Sequence, residues 1–112
     1  MPTGHYPRPS VQERLERQCI PEPNSGCWLW TGAIYASGYG GLQHKGRSQY
    51  AHRVSYEIFV GPIPNGHDID HLCRLRLCVN PEYLQAVTRR ENLLRSWRAA
   101  IATEEIKNAA QS

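Results

Sequence analysis

Four cysteines constrain this chain more than any other feature of its sequence, because the rest of it offers little core. The 112 residues fit one small domain, and 40% of them are hydrophobic. A core of this size contributes no more than roughly 3–5 kcal/mol of net stability, so a staple is expected. Cys19 and Cys27 form one pair of candidate staple residues, and Cys73 and Cys78 form the other.

Metal binding is the role that the sequence favours for these cysteines. The N-terminus, MPTGHYPRPS, lacks the apolar run of a secretory signal, which predicts a cytosolic protein, and no apolar window is long enough for a transmembrane helix. In a reducing compartment, thiols bind metal more often than they form disulfides. Two pairs predict one structural zinc site, whose binding would supply about 10–16 kcal/mol to folding. The alternative is four unconnected buried thiols, since neither pair has the CxxC spacing.

Local signals in the first half of the chain predict short helices and hairpins. Residues 1–9 are proline-rich and predict an unstructured arm, and Ser10 begins a capping box that predicts a helix over residues 11–18. A turn, PEPNSG, then precedes the strand pattern CWLWTGA, whose two tryptophans we expect in the core. The segments SGYGGLQ, HKGR and SQYA predict a hairpin that turns at Gly46.

The second half predicts a helix, a strand and further helices. Apolar spacing predicts a helix over residues 51–60, which GPIPNG ends, and HDIDHL alternates as a short strand does. Asn80 and Pro81 have the N-cap and first-turn chemistry of a helix start. Thr88 opens another capping box, which predicts a helix through Ala102.

Positive charge is concentrated in one part of the chain. The formal net charge is +3, and residues 44–98 contain nine basic and five acidic side chains. Four arginines lie in the predicted helix that follows Thr88: Arg89, Arg90, Arg95 and Arg98. A solvated helix face would explain them, but arginine also matches the oxygens of a phosphate backbone. The charge is therefore compatible with nucleic acid without identifying it.

One ordered set of segments carries a resemblance to a known family. The stretch IDHLCRLRLCVNPEYLQAVTRRENLLR resembles the ββα-metal motif of HNH endonucleases in the form common among phage-encoded proteins. The upstream segments GCWLWTGA, GYG, AHRVSYE and GPIPNG extend the resemblance over residues 26–95. It implies an α+β fold: a small zinc-stapled domain with an N-terminal hairpin, a helix, and a ββα-metal motif followed by a basic C-terminal helix.

The resemblance also implies a mechanism. His71 would be the general base that takes a proton from water, and Asp70 would hold a divalent ion, Mg²⁺ or Mn²⁺, that stabilises charge on the scissile phosphate. Asn80 matches the central asparagine of the family, which fixes the loop and orients the base. Arg53 is a further candidate for contact with phosphate.

Tyr83 occupies the position of the third motif residue, three residues after Asn80. In the family this residue is usually a histidine that binds the metal. A neutral phenol with a pKa near 10 is a poor ligand. Tyr83 would therefore bind the metal as a partly ionised phenolate, or contact the phosphate as a donor. Otherwise the site is weakened or inactive.

The cysteines acquire a more specific role from the resemblance. Cysteines that bracket this loop in related proteins hold a structural zinc, which implies Cys73 and Cys78 as ligands and Cys27 as the third. Cys19 is our choice for the fourth ligand because it would complete an all-thiolate site, and His52 is the alternative.

Three functions follow for the chain as a whole. The first is a metal-dependent endonuclease acting on double-stranded DNA, without membrane contact and in the host cytoplasm if phage-encoded; cutting both strands would favour a homodimer. The second is a catalytically weakened, zinc-stapled DNA-binding module, and the third is a protein–protein adaptor.

We divide the chain into an arm and short helix (1–20), an HNH domain (21–98) and a tail (99–112).

Overall fold

The structure is a computed structural model that describes residues 9–111, with side chains through residue 102. The prediction of an unstructured arm lies outside this range except at Pro9. The elements are, in order, α1 (Val11–Arg17), β1 (Cys19–Pro21), β2 (Trp28–Trp30), β3 (Gly41–His44), β4 (Arg47–Tyr50), α2 (Ala51–Phe59), β5 (His67–His71), a 3₁₀ turn (Pro81–Tyr83), β6 (Leu84–Thr88) and α3 (Arg89–Gln111). Antiparallel pairs form between β1 and β2, β3 and β4, and β5 and β6. The predicted α+β class is confirmed.

Helix capping sets the starts of α1 and α3. The Ser10 hydroxyl accepts a hydrogen bond from the Glu13 amide at 3.1 Å, and the Thr88 hydroxyl accepts one from the Glu91 amide, also at 3.1 Å. Each bond satisfies an amide that has no partner within its own helix. Both predicted helix starts are thus confirmed, although α3 continues to Gln111, beyond its predicted end.

The turn between β3 and β4 depends on two residues with positive φ. Lys45 has φ 53° and Gly46 has φ 77°. Two consecutive left-handed residues give the turn the twist that the flanking strands require, and glycine adopts this conformation without a steric penalty. The predicted hairpin is confirmed.

The core lies where α1, α2 and the hairpin strands meet. Its buried residues are Leu15, Trp30, Leu42, Ala51, Val54 and Val79, and Trp28 packs against them. The Trp30 indole N–H donates to the Ala33 carbonyl at 2.9 Å, which satisfies its polar atom inside the core. The prediction that both tryptophans belong to the core is confirmed.

The helix predicted from Pro81 is wrong beyond its first turn. The Asn80 side chain caps the turn as expected, accepting from the Glu82 amide at 3.0 Å. The chain then extends as β6, because residues 84–88 pair along the whole of β5. Strand pairing outweighs the local preference for helix. The helix that completes the ββα unit is therefore α3, which is also the basic C-terminal helix.

Strand β1 was not predicted from the sequence. It pairs with β2 so that Cys19 lies opposite Trp30 and Pro21 lies opposite Trp28. The predicted division of the chain stays a prediction; β1 spans its first boundary at residue 20, and α3 spans its second at residue 98. Within the range that the structure describes, no helix is both long and apolar enough to cross a membrane.

Leu15 provides a test of whether α1 belongs to the folded unit. Its side chain is fully buried in the core. Leu15→Ala should lower the free energy of unfolding by about 2–5 kcal/mol, through lost burial and the cavity left behind. Urea denaturation measures this, with Gln12→Ala on the exposed face of the same helix as the control. Equal stability of the two variants would contradict the packing described for α1.

Candidate functional site

Asp70 and His71 lie at the end of β5 and border one cavity of about 280 Å³. Its lining includes Tyr39, Asp70, His71, Arg74, Arg76 and Asn92. Adjacent strand residues ordinarily face opposite sides. Here the strand ends at His71, so both side chains reach the same cavity. Both residues are more than nine-tenths buried.

Two guanidinium groups accompany the Asp70 carboxylate. Arg95 contacts one carboxylate oxygen at 3.0 Å, and Arg74 approaches the other at 3.7 Å. Arg95 also donates to Glu91 at 3.1 Å and to Gln85 at 2.8 Å, so several acceptors hold its side chain beside the cavity. Both oxygens of the buried Asp70 carboxyl group thus already have a guanidinium neighbour.

His71 has the surroundings of a neutral imidazole. Burial lowers its pKa below the usual value, against the opposing effects of the Asp70 charge and of a polar contact with the Cys78 backbone. The Tyr39 ring stacks on the His71 imidazole, with ring centroids 5.7 Å apart. The Arg76 guanidinium lies over the Tyr39 ring, 5.4 Å from its centroid. An uncharged histidine in a cavity can accept a proton near neutral pH.

Asn92 is one of several cavity residues that the sequence did not identify, with Tyr39, Arg74 and Arg76. It lies in the first turns of α3, and its amide donates to Asp68 at 3.4 Å. The Thr88 capping box held the signal for it. A helix that starts after Thr88 packs against β5, and Asn92 in its first turns then lies near the end of that strand. Asn92 lines the cavity that contains Asp70.

Asn80 connects the loop after β5 to the segment before β2. Its amide donates to the Gly26 carbonyl at 2.6 Å while its oxygen caps the 3₁₀ turn. The side chain does not line the cavity of Asp70 and His71. Its contacts therefore hold the shape of the loop.

Tyr83 occupies a different place from the one that the sequence predicts. Its hydroxyl donates to the Ser25 carbonyl at 2.8 Å, and a Cβ at Gly26 would lie 2.6 Å from the hydroxyl oxygen. It does not line the cavity. The predicted meeting of Tyr83 with Asp70 is corrected, because the 3₁₀ turn directs its ring toward the segment before β2.

Three of the four cysteines form a cluster that can hold a metal ion. The sulfur atoms of Cys27, Cys73 and Cys78 all lie within 4.8 Å of one another. Burial raises the pKa of Cys73 and raises that of Cys78 to about 12, so a neighbouring cation would be needed to make these thiols thiolates near neutral pH. Three soft sulfur donors suit a tetrahedral metal and leave one position for another ligand.

Neither predicted candidate for the fourth ligand joins the cluster. The Cys19 thiol donates to the Glu16 carbonyl at 3.6 Å, and the side chain packs against the core. Pairing with Trp30 puts Cys19 at the end of the β1–β2 ladder away from Cys27, which corrects that prediction. The alternative, His52, instead lies against His71, with ring centroids 4.6 Å apart.

The five arginines predicted to contact DNA have three different surroundings. Arg89, Arg90 and Arg98 are exposed on α3, and Arg98 pairs with Glu91 at 3.5 Å. Arg95 is directed inward to Asp70. Arg53 is partly buried on α2 and lines a separate hollow that also includes Arg47. The exposed α3 arginines are thus the ones most accessible to a large anion.

Comparison with known proteins gives this site a family. Residues 49–94 match the sequence model of the HNH endonuclease family, and that region contains Asp70, His71, Asn80 and Asn92. Residues 49–94 are therefore similar to the HNH endonuclease family, and the relatives below are phage proteins.

The relatives are phage proteins whose names state no activity. Protein 2.8 of Escherichia phage T7 is 40% identical over 80 residues, covering 70% of this chain and 52% of the relative. The uncharacterized gene 5.3 protein of Enterobacteria phage T3 is 38% identical over 58 residues (50% and 57%), and protein 7.7 of Escherichia phage T7 is 35% identical over 66 residues (59% and 51%). The chain spans about half the length of these relatives. No solved structure matches it significantly.

Cysteine substitutions test the composition of the cluster. Cys27→Ser should lose most of the metal that copurifies with the chain, because it removes one of three converging donors. Cys19→Ser is the matched control and should retain it. Elemental analysis of protein purified under reducing conditions without chelator measures the metal bound per chain. Equal loss from both variants would contradict a cluster that excludes Cys19.

Proposed function

We propose that this protein is a metal-dependent endonuclease that hydrolyses phosphodiester bonds of double-stranded DNA. The observation that carries the proposal is one cavity, inside the family-matched region, lined by a carboxylate, a shielded imidazole and an amide: Asp70, His71 and Asn92. An unprotonated base beside a group that binds a divalent cation is an arrangement that can hydrolyse a phosphodiester.

Asp70 and Asn92 are the residues that would hold the divalent ion. A carboxylate and an amide oxygen are hard donors, which suit Mg²⁺ or Mn²⁺. The two arginines already pair with the Asp70 oxygens, so a divalent ion would have to displace at least one of them. The bound ion would supply stabilisation of the charge that develops on the phosphate and on the departing oxygen. Tyr83 has no part in this ligand set.

His71 would act as the general base. It takes one proton from a water molecule while the water oxygen attacks phosphorus, and the bond from phosphorus to the 3′ oxygen breaks. Its lowered pKa supports the role, because the ring is then unprotonated and able to accept at neutral pH. The contacts of Asn80 support a positioning role for it, since they fix the loop that follows the base.

A structural zinc and the DNA backbone complete the proposal. Zn²⁺ suits the three sulfur donors of Cys27, Cys73 and Cys78, with the fourth position open to water or another ligand. The exposed arginines of α3 are the proposed phosphate contacts, with Arg53 as a further one. Cleavage of both strands by one site per chain would favour a homodimer. The phage relatives favour the host cytoplasm as the location.

The alternative, a DNA-binding module with a weakened site, loses its main support. That interpretation depends on Tyr83 as an inadequate third ligand. Asn92 lines the cavity, whereas Tyr83 does not. A carboxylate and a shielded imidazole in one cavity have no evident use in a protein that only binds DNA. We therefore favour catalysis.

Cleavage of supercoiled plasmid tests the proposal. The purified protein should nick the plasmid with Mg²⁺ or Mn²⁺, and His71→Ala should lower the rate by roughly 10²–10⁴-fold because the base is removed. Asp70→Ala and Asn92→Ala should also lower it, through loss of the ion. Tyr83→Phe is the control and should cleave like the parent.

A DNA-binding measurement is the control for this cleavage assay. Gel-shift titration of the same plasmid without metal should give similar DNA affinity for all variants, so that a loss of rate reports on chemistry. If His71→Ala and Asp70→Ala cleave as fast as the parent, the endonuclease proposal fails. If the parent binds DNA and never nicks it with either ion, the DNA-binding module is correct.

A further inference from the structure

The two arginines that share the Asp70 carboxylate are held in different ways. Arg95 contacts one carboxylate oxygen at 3.0 Å, and its side chain is 24% exposed. It also donates to Glu91 at 3.1 Å and to Gln85 at 2.8 Å. Arg74 approaches the other oxygen at 3.7 Å, which is longer than a hydrogen bond, and its side chain is 52% exposed. Arg74 is therefore the more easily displaced of the two.

The main chain at Arg74 is fixed although its side chain is exposed. Arg74 has φ 62°, a left-handed conformation that residues other than glycine seldom adopt. Its amide donates to the His71 carbonyl at 3.0 Å, and the preceding residue, Cys73, belongs to the sulfur cluster. The Arg74 guanidinium can therefore change its partner by rotation of the side chain, without movement of the loop.

A divalent ion at Asp70 would compete with the Arg74 guanidinium. The two cations would lie against the same carboxylate, where their charges repel each other over a short distance. Among the residues whose side chains the structure describes, Asp70 is the one partner of the Arg74 guanidinium. Arg95 keeps two further acceptors when it loses Asp70. Arg74 is thus the arginine that ion binding should release.

The cavity offers the released guanidinium a second anion when DNA is bound. Arg74 lines the same cavity as His71, which is where the scissile phosphodiester would lie. The planar guanidinium presents two parallel N–H donors, which match two oxygens of one phosphate. A phosphate in the cavity would therefore replace the carboxylate that the ion has taken from Arg74.

We propose that Arg74 exchanges its partner when ion and substrate bind: its guanidinium neighbours Asp70 in the free protein and binds a phosphate of the DNA backbone in the loaded complex. The exchange rests on the proposed function, because it uses Asp70 as the ligand of the ion and DNA as the substrate. Arg74 is then a substrate-binding residue that also couples the two binding steps.

This coupling follows from competition for one carboxylate. Arg74 weakens ion binding in the free protein, and a phosphate that draws Arg74 away removes that competition. DNA should therefore raise the affinity for the ion, and by linkage the ion should raise the affinity for DNA by the same factor. Removing the Arg74 side chain should reduce this factor and tighten ion binding when DNA is absent.

Mn²⁺ binding and DNA binding are measured separately on the full-length protein, in a His71→Ala background that keeps the DNA intact. Electron paramagnetic resonance of free Mn²⁺ gives the ion affinity without DNA. Fluorescence anisotropy of a labelled short duplex gives the DNA affinity with and without Mn²⁺. Arg74→Ala is the test variant. Arg89→Ala is the matched control, because Arg89 pairs at 3.9 Å with Asp68 on the same strand as Asp70 and does not line the cavity.

Arg74→Ala should bind Mn²⁺ without DNA more tightly than the background protein, by up to about fivefold, as expected for an ion pair with an exposed member. The factor by which Mn²⁺ raises DNA affinity should fall to the same extent. With Mn²⁺ present, the salt dependence of log affinity should become shallower by about 0.9, the effect of one lost phosphate contact. Arg89→Ala should leave Mn²⁺ affinity unchanged and weaken DNA binding equally with and without the ion.

Unchanged or weaker Mn²⁺ binding by Arg74→Ala overturns the exchange, because Arg74 then does not compete with the ion. Tighter Mn²⁺ binding with an unchanged effect of Mn²⁺ on DNA affinity also overturns it, since the guanidinium then leaves Asp70 without binding DNA. Arg74→Gly, which adopts a positive φ without penalty, gives the same test if Arg74→Ala fails to fold. If the affinities change as expected but protein with His71 intact never cleaves plasmid, the exchange stands and the endonuclease proposal fails.

Discussion

The meeting of Cys27 with Cys73 and Cys78 is the constraint on which the rest of the structure depends. It joins two segments far apart in the sequence, and backbone bonds continue the junction on both sides of it. The Trp30 amide donates to the Leu77 carbonyl and the Val79 amide to the Trp28 carbonyl, each at 2.9 Å. The small core cannot fix a long irregular loop by burial alone. A metal-bound cluster would fix it at the point where the loop leaves the candidate base.

The candidate site follows from that anchored loop. With the loop held against β2, the chain returns through one 3₁₀ turn to pair β6 along β5, with Leu84 opposite His71. Helix α3 begins directly after β6 and brings Asn92 back to the cavity that Asp70 and His71 line. On the far side, α2 brings His52 against the same imidazole. Three separate parts of the chain thus converge on one side chain.

Local chemistry made much of this fold predictable. The caps at Ser10 and Thr88 and the turn at Gly46 depend on neighbouring residues only, so sequence patterns identified them. The errors came from long-range pairing. Asn80 and Pro81 have the chemistry of a helix start, yet pairing with β5 draws the following residues into a strand. The 3₁₀ turn before β6 directs the Tyr83 side chain toward Ser25, and the position of α3 brings Asn92 to the cavity.

The central claim, that a metal at the cysteine cluster fixes the loop against β2, is tested most directly by amide hydrogen exchange. The amides of Trp30 and Val79 report on the junction, and that of Ile58 within α2 is the internal reference. Removing the metal with a chelator under reducing conditions should raise exchange at Trp30 and Val79 by more than about tenfold relative to Ile58, and added zinc should reverse it. Unchanged relative exchange would contradict the account.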